Sequence, residues 1–133
     1  DRAIKYLGDH NDDNGVTVQA KSLDPGTTGE SSSGSDVISV DLKQIADAGG
    51  QYADVVGAGT LAHEARHELD AKDHGPVTTR DSVMRTELNA SRTNAAVGQG
   101  LRMDVGLGSD KKIFDAAKAS TDAWCAESGG PGC

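Results

Sequence analysis

The sequence predicts an α+β fold in which a small antiparallel or mixed sheet packs on an active-site helix and two further helices. Three observations carry this. Short segments with period-two alternation lie in the first third of the chain, and longer segments with helical periodicity fill the remainder. The run His63-Glu64-Ala65-Arg66-His67 sits inside the first long helical segment. At 133 residues the chain fits one domain, residues 1–133.

Residues 1–7 and 16–21 read as short strands, the second because Val16, Val18 and Ala20 alternate with polar neighbours, and Asn14-Gly15 reads as the turn between them. The stretch 23–35 is polar, small and rich in turn formers, and is expected to be a mobile surface loop. From Asp36 to Leu42, Val37, Ser39 and Asp41 alternate with Ile38, Val40 and Leu42, as in a half-buried strand. A short helix over 42–48 follows, ending at Gly49-Gly50.

A long helix is expected from about Tyr52 to Ala71, with Ala58, Leu61, Ala62, Ala65 and Leu69 as its apolar stripe and His63, His67 and Asp70 opposite. Gly75-Pro76 ends it. A second begins near Asp81 as cap and fades at 98–100; a third spans 110–126, with Ile113, Phe114, Ala117, Ala123 and Trp124 on its buried side. Cys125 and Cys133 flank a Gly-Gly-Pro-Gly turn that allows a disulfide, though two free thiols fit the spacing equally.

Residues four apart on a helix lie one above the other, so His63 and His67 can converge on one metal ion. Glu64 is turned by roughly 100° from His63, which aims its carboxylate at a metal-activated water as general base. A chance HExxH would occur in roughly one chain in two hundred of this composition, so the motif carries weight. A catalytic zinc takes three protein ligands and keeps one position open.

Glu87 is the expected third ligand, because the 19 residues between it and His67 leave room for a turn and a returning helix. Asp73 and His74, just past the motif, are the alternatives. Asp70, Ser91 and Asn94 are placed to orient a ligating histidine, with a plain surface carboxylate as the other reading of Asp70. His74, Arg80, Arg92 and Tyr52 are candidates for stabilising a developing oxyanion. His10, in the acidic run 9–13, is too remote to place.

The net charge of −8 repels phosphate backbones and anionic lipid surfaces, so nucleic acid and membrane insertion are not expected. No apolar run approaches a membrane span, and no signal peptide is visible. The chain opens on Asp1 rather than Met, which suggests a piece cut from something longer. Aromatics are 3% of residues, so the core must lean on Val, Ile, Leu and Ala, and a bound metal would add to stability.

With His63, Glu64, His67 and Glu87 assembled, the chain resembles the gluzincin group of zinc metallopeptidases. Glu87-Leu88-Asn89-Ala90 looks like the helix turn that carries the third ligand in lethal-factor-like toxin proteases. Residues 57–101, with Gly59-Thr60-Leu61-Ala62 before the motif and Gly100-Leu101 after it, are similar to C-terminal toxin domains of bacterial rearrangement-hotspot and polymorphic toxin proteins. The resemblance implies a zincin-like fold, bound Zn2+ and an endopeptidase acting on protein or peptide substrates. It also implies a secreted or delivered effector released from a larger protein and neutralised by a cognate immunity protein. No substrate-binding strand is legible. Two other readings share the motif: a zinc hydrolase of cell-wall or other amide bonds, and a catalytically silent zincin-like binding module.

Overall fold

In the computed structural model, which describes residues 2–8, 14–32 and 34–133, the chain begins with helix α1 (Arg2–Leu7), not with the strand expected over 1–7. Helical spacing puts Ala3, Tyr6 and Leu7 on one face, and that face joins the core against the motif helix. Asn14 donates to the carbonyls of Tyr6 and Leu7 at 3.4 and 3.1 Å, so it serves the end of α1 rather than turning a hairpin. His10 and the acidic run 9–13 lie outside the described residues.

Three strands, β1 (Thr17–Ala20), β2 (Gly29–Ser31) and β3 (Val37–Val40), form a small mixed sheet in the order β1-β3-β2. β1 runs parallel to β3, with Thr17 opposite Val37, and β2 runs antiparallel, with Gly29 opposite Val40. As the central strand, β3 is covered on both faces: Ile38 and Val40 enter the core, and buried Ser39 accepts a hydrogen bond from Gln19 at 2.9 Å. The half-buried alternation expected there therefore gives way to continuous burial.

β2 lies inside the stretch 23–35 that the sequence marks as a loop. Its approach is pinned by two residues of the next element. Asp41 accepts from the backbone N–H of Leu23 at 2.9 Å, and Gln44 donates to the carbonyls of Leu23, Asp24 and Thr27 while accepting from Gly26 N–H. The same Asp41 caps α2 (Leu42–Gly49) by accepting from Gln44 N–H at 3.1 Å. Tertiary contacts of this kind are invisible to local propensity, which is why turn formers here carry a strand.

A single 3-10 turn at 50–52 leads into α3 (Ala53–His74), the helix that bears the motif. Gly75 ends it at φ 77°, a left-handed conformation that suits glycine, with its N–H on the Ala71 carbonyl. α4 (Arg80–Gly100) is started by a capping box between Thr79 and Ser82; Asp81 sits in the first turn rather than at the cap. α5 (Asp110–Ser128) is capped by Ser109.

α3 is the centre of the molecule. The sheet, α1 and α2 cover one side of it, α4 packs antiparallel on another, and α5 packs on α4. The core proper is Ala3, Ile38, Val40, Ile45 and Ala65, with Tyr6, Leu7, Ala53, Val56 and Leu61 against it. Because α3 is enclosed on more than one side, the expected two-faced helix is not observed: Glu64, Glu68 and Asp70 are buried along with Ala62 and Ala65. α5 also differs from expectation, seating Ala117 and Thr121 while Phe114 is 49% exposed and Ala123 faces solvent. Among the described residues, no helix is long and apolar enough to cross a membrane.

Candidate metal centre

The α3–α4 hairpin sets the spacing of the site. At Gly59 an added Cβ would lie 2.2 Å from Asn94 Oδ1, so the two helices approach closely there. Further along, Asn89 Nδ2 donates to Asp70 Oδ2 at 3.1 Å, while Arg66 holds the other oxygen at 3.0 Å. Asp70 thus serves neither of its expected roles. It is 1% exposed, and it locks α4 against α3 instead of orienting a histidine.

Between these two ties, three side chains converge. His63 Nε2 and His67 Nε2 are 3.1 Å apart, Glu87 Oε1 is 3.4 Å from His67 Nε2, and Glu87 Oε2 is 3.5 Å from His63 Nε2. All three residues are partly buried, and their donor atoms fall within 4.8 Å of one another. Two ligands at about 2.05 Å on a tetrahedral zinc stand about 3.3 Å apart; the carboxylate turns one oxygen to each imidazole at close to that spacing, a group within reach of one shared ion. Glu87 Oε2 is buried without a hydrogen-bond partner among the described residues, an orphan that a cation would satisfy.

Electrostatics agree with the geometry. Burial alone would raise the Glu87 carboxyl, but the imidazoles of His63 and His67 outweigh it and hold the group at about 2. Burial pushes the His67 imidazole down, and the hydrogen bond and charge of Glu87 reverse this and raise it. A carboxylate ionised at every ordinary pH is the form that ligates a cation.

Glu64 occupies a different position. It is 8% exposed, and its Oε2 accepts a hydrogen bond from Ser31 Oγ of β2 at 3.0 Å. Gly29 makes that contact feasible, since a Cβ there would stand 2.5 Å from Thr60 Cγ2 and 3.2 Å from Glu64 Cγ. Thr28 and Thr60 hydroxyls meet at 3.2 Å beside it. Ser31 and Gly29 are site residues that the sequence did not disclose, because β2 itself reads as loop.

The other candidates lie elsewhere. Asp73 is exposed and receives Arg2 at 3.0 Å, which lowers its carboxyl below the usual range, and His74 is exposed at the end of α3. Neither joins the His63, His67 and Glu87 cluster. Ser91 is buried on α4, one turn beyond Glu87. Tyr52, Arg80, Arg92 and His74 are not among the residues that line the cleft over the triad. Arg80 is engaged by Asp122 at 2.8 Å.

That cleft has a volume of about 460 Å³. Its lining includes His63, Glu64, His67 and Glu87 of the helix hairpin, Gly29 to Ser31 of β2, and the apolar side chains of Val77, Val83 and Trp124. Compared with family models, curated proteins and solved structures, the chain gives no match. Its site is therefore read from its own geometry.

Proposed function

We propose that this chain is a zinc-dependent endopeptidase acting on protein substrates, with His63, His67 and Glu87 as metal ligands and Glu64 as general base. The observation that carries the reading is the convergence of His63, His67 and Glu87, with one donor atom of each within 4.8 Å of the others, beside a separate carboxylate, Glu64, one residue along from His63. When bound, zinc supplies the Lewis acid that activates water and polarises a carbonyl.

The residues divide the remaining work. Glu64 takes a proton from the attacking water and passes it to the leaving amine, so the acid returns to carboxylate within each turnover. Ser31 occupies one of its two oxygens and fixes the plane of the carboxylate, leaving the other free for that proton. Among the described residues β2 is an edge strand, paired on one side with β3, and Gly29, Glu30 and Ser31 line the cleft. Its free backbone edge can pair with an extended peptide, which favours a polypeptide substrate over a sugar or lipid.

The resemblance to polymorphic toxin domains extends this reading to a secreted or delivered effector that is held in check by an immunity protein. The Cys125–Cys133 disulfide supports passage through an oxidising compartment.

The test compares the native chain with Glu64→Gln for zinc content and for hydrolysis of casein and of peptidoglycan. The proposal expects equal zinc in both, casein cleavage by the native chain alone and no peptidoglycan products. Unchanged cleavage by Glu64→Gln overturns the assignment of the base, and peptidoglycan products without casein cleavage overturn the substrate class.

A further inference from the structure

We propose that Trp124 is a specificity-determining residue of the cleft: with Val77 it forms a wall that receives an apolar side chain, and the C-terminal loop holds it in place. This deepens the endopeptidase reading and rests on it for the bond cleaved, while the wall itself follows from packing alone.

The cleft has unlike sides. β2 packs on α3, and α5 packs on α4, and both β2 and Trp124 line the cleft together with residues of α3 and α4. The side near β2 is polar, with Thr28, Ser31 and Thr60, and the side near α5 presents the half-buried Trp124 with Val77 as its apolar surface beside Ser120, while Val83, 3% exposed, adds little. A half-buried indole in a cleft offers a large apolar surface with few rotatable bonds. Removing an apolar side chain of leucine size from water against it contributes enough to separate leucine from glycine by at least about tenfold.

Trp124 does not stand unsupported. The disulfide joins Cys125, the next residue along α5, to Cys133, with Cα atoms 5.5 Å apart. The loop so closed lays Gly130 on the ring: a Cβ there would stand 2.4 Å from Trp124 Cη2. Arg80 N–H donates to the Pro131 carbonyl at 2.8 Å, and Gly132 abuts Arg80 Cβ. The tail therefore packs on the Trp124 ring and ties it to the first turn of α4, the helix that carries Glu87. Gly130 is required at this contact by space, since any larger residue drives the ring away.

Trp124 is the single tryptophan of the chain, so its emission reports this wall directly. The experiment titrates the zinc-treated Glu64→Gln chain, which holds the probe without turnover, with acetyl-Gly-Gly-Leu-Gly-Gly-amide and with the all-glycine pentapeptide. Zinc content is measured on the same samples. The leucine peptide is expected to shift Trp124 emission to the blue and to bind at least about tenfold more tightly. Gly130→Ala, which keeps the disulfide, and the Cys125→Ser/Cys133→Ser chain are both expected to lose this preference and to expose the indole to acrylamide. Equal binding of the two peptides, or a leucine preference that survives Gly130→Ala and Trp124→Ala, overturns the proposal. Absent zinc with the leucine preference intact overturns the enzymatic reading instead and leaves the wall standing.

Discussion

Ser31 Oγ donates a hydrogen bond to Glu64 Oε2 at 3.0 Å, which couples the edge strand of the sheet to the carboxylate assigned as general base. In the proposed mechanism the contact joins substrate position and proton position, because the strand that lines the cleft also holds the Glu64 carboxylate. Ser31→Ala is therefore expected to lower kcat by about tenfold while KM and zinc content stay near native values, because a misoriented base acts on the transition state. Ser31→Thr restores the hydroxyl and most of the rate. Steady-state kinetics on casein-derived peptides, with metal content on the same samples, checks this; a rise in KM alone would show that Ser31 binds substrate instead.

Gly29→Ala tests the same junction through packing. A methyl group cannot fit 2.5 Å from Thr60 Cγ2, so β2 must retreat from α3. The expected cost is about 1 to 3 kcal/mol in denaturant unfolding, with loss of activity and with zinc retained. Zinc loss in this variant would mean that β2 supports the ligands as well as the base.

Glu87→Ala removes the proposed third ligand and the charge beside two imidazoles. Zinc affinity is expected to fall by more than about 100-fold, beyond the range typical of outer hydrogen-bond partners. Asp73→Ala and His74→Ala are expected to leave zinc affinity unchanged, because neither reaches the cluster. Competition with a fluorescent zinc chelator measures all three.

Acid sensitivity should trace in part to Asp41. Hydrogen bonds from the Leu23 backbone N–H, then from the Gln44 side chain and backbone, lower its carboxyl from 3.8 to about 2. A group depressed in the folded state gives stability that is complete above its ordinary pKa and lost as pH falls through the folded value. Native protein and Asp41→Asn should thus differ most above pH about 4 and converge toward pH 2. Thermal unfolding across this range checks it, and a constant gap between the two curves would contradict it.

The cluster of His63, His67 and Glu87 was legible because its members lie on one helical hairpin. The i, i+4 spacing of His63 and His67 and the returning helix that brings Glu87 follow from helical geometry and a short turn. The wrong expectations share one cause. Residues 2–7 fold as a helix, 29–31 as a strand and Asp70 as a helix-to-helix tie because each is decided by a partner distant in sequence: α3 for the first, Asp41 and Gln44 for the second, and Asn89 for the third. Ser31 escaped notice for the same reason, since no local pattern marks a serine that will face a carboxylate 33 residues away.

The most direct test of the account is zinc stoichiometry and coordination in the purified chain, by mass spectrometry and X-ray absorption. One zinc per chain, with two imidazole nitrogens and a carboxylate oxygen in the native protein and the oxygen ligand lost in Glu87→Ala, is the predicted result. A chain that takes up no zinc, or one whose coordination is unaltered in Glu87→Ala, contradicts it.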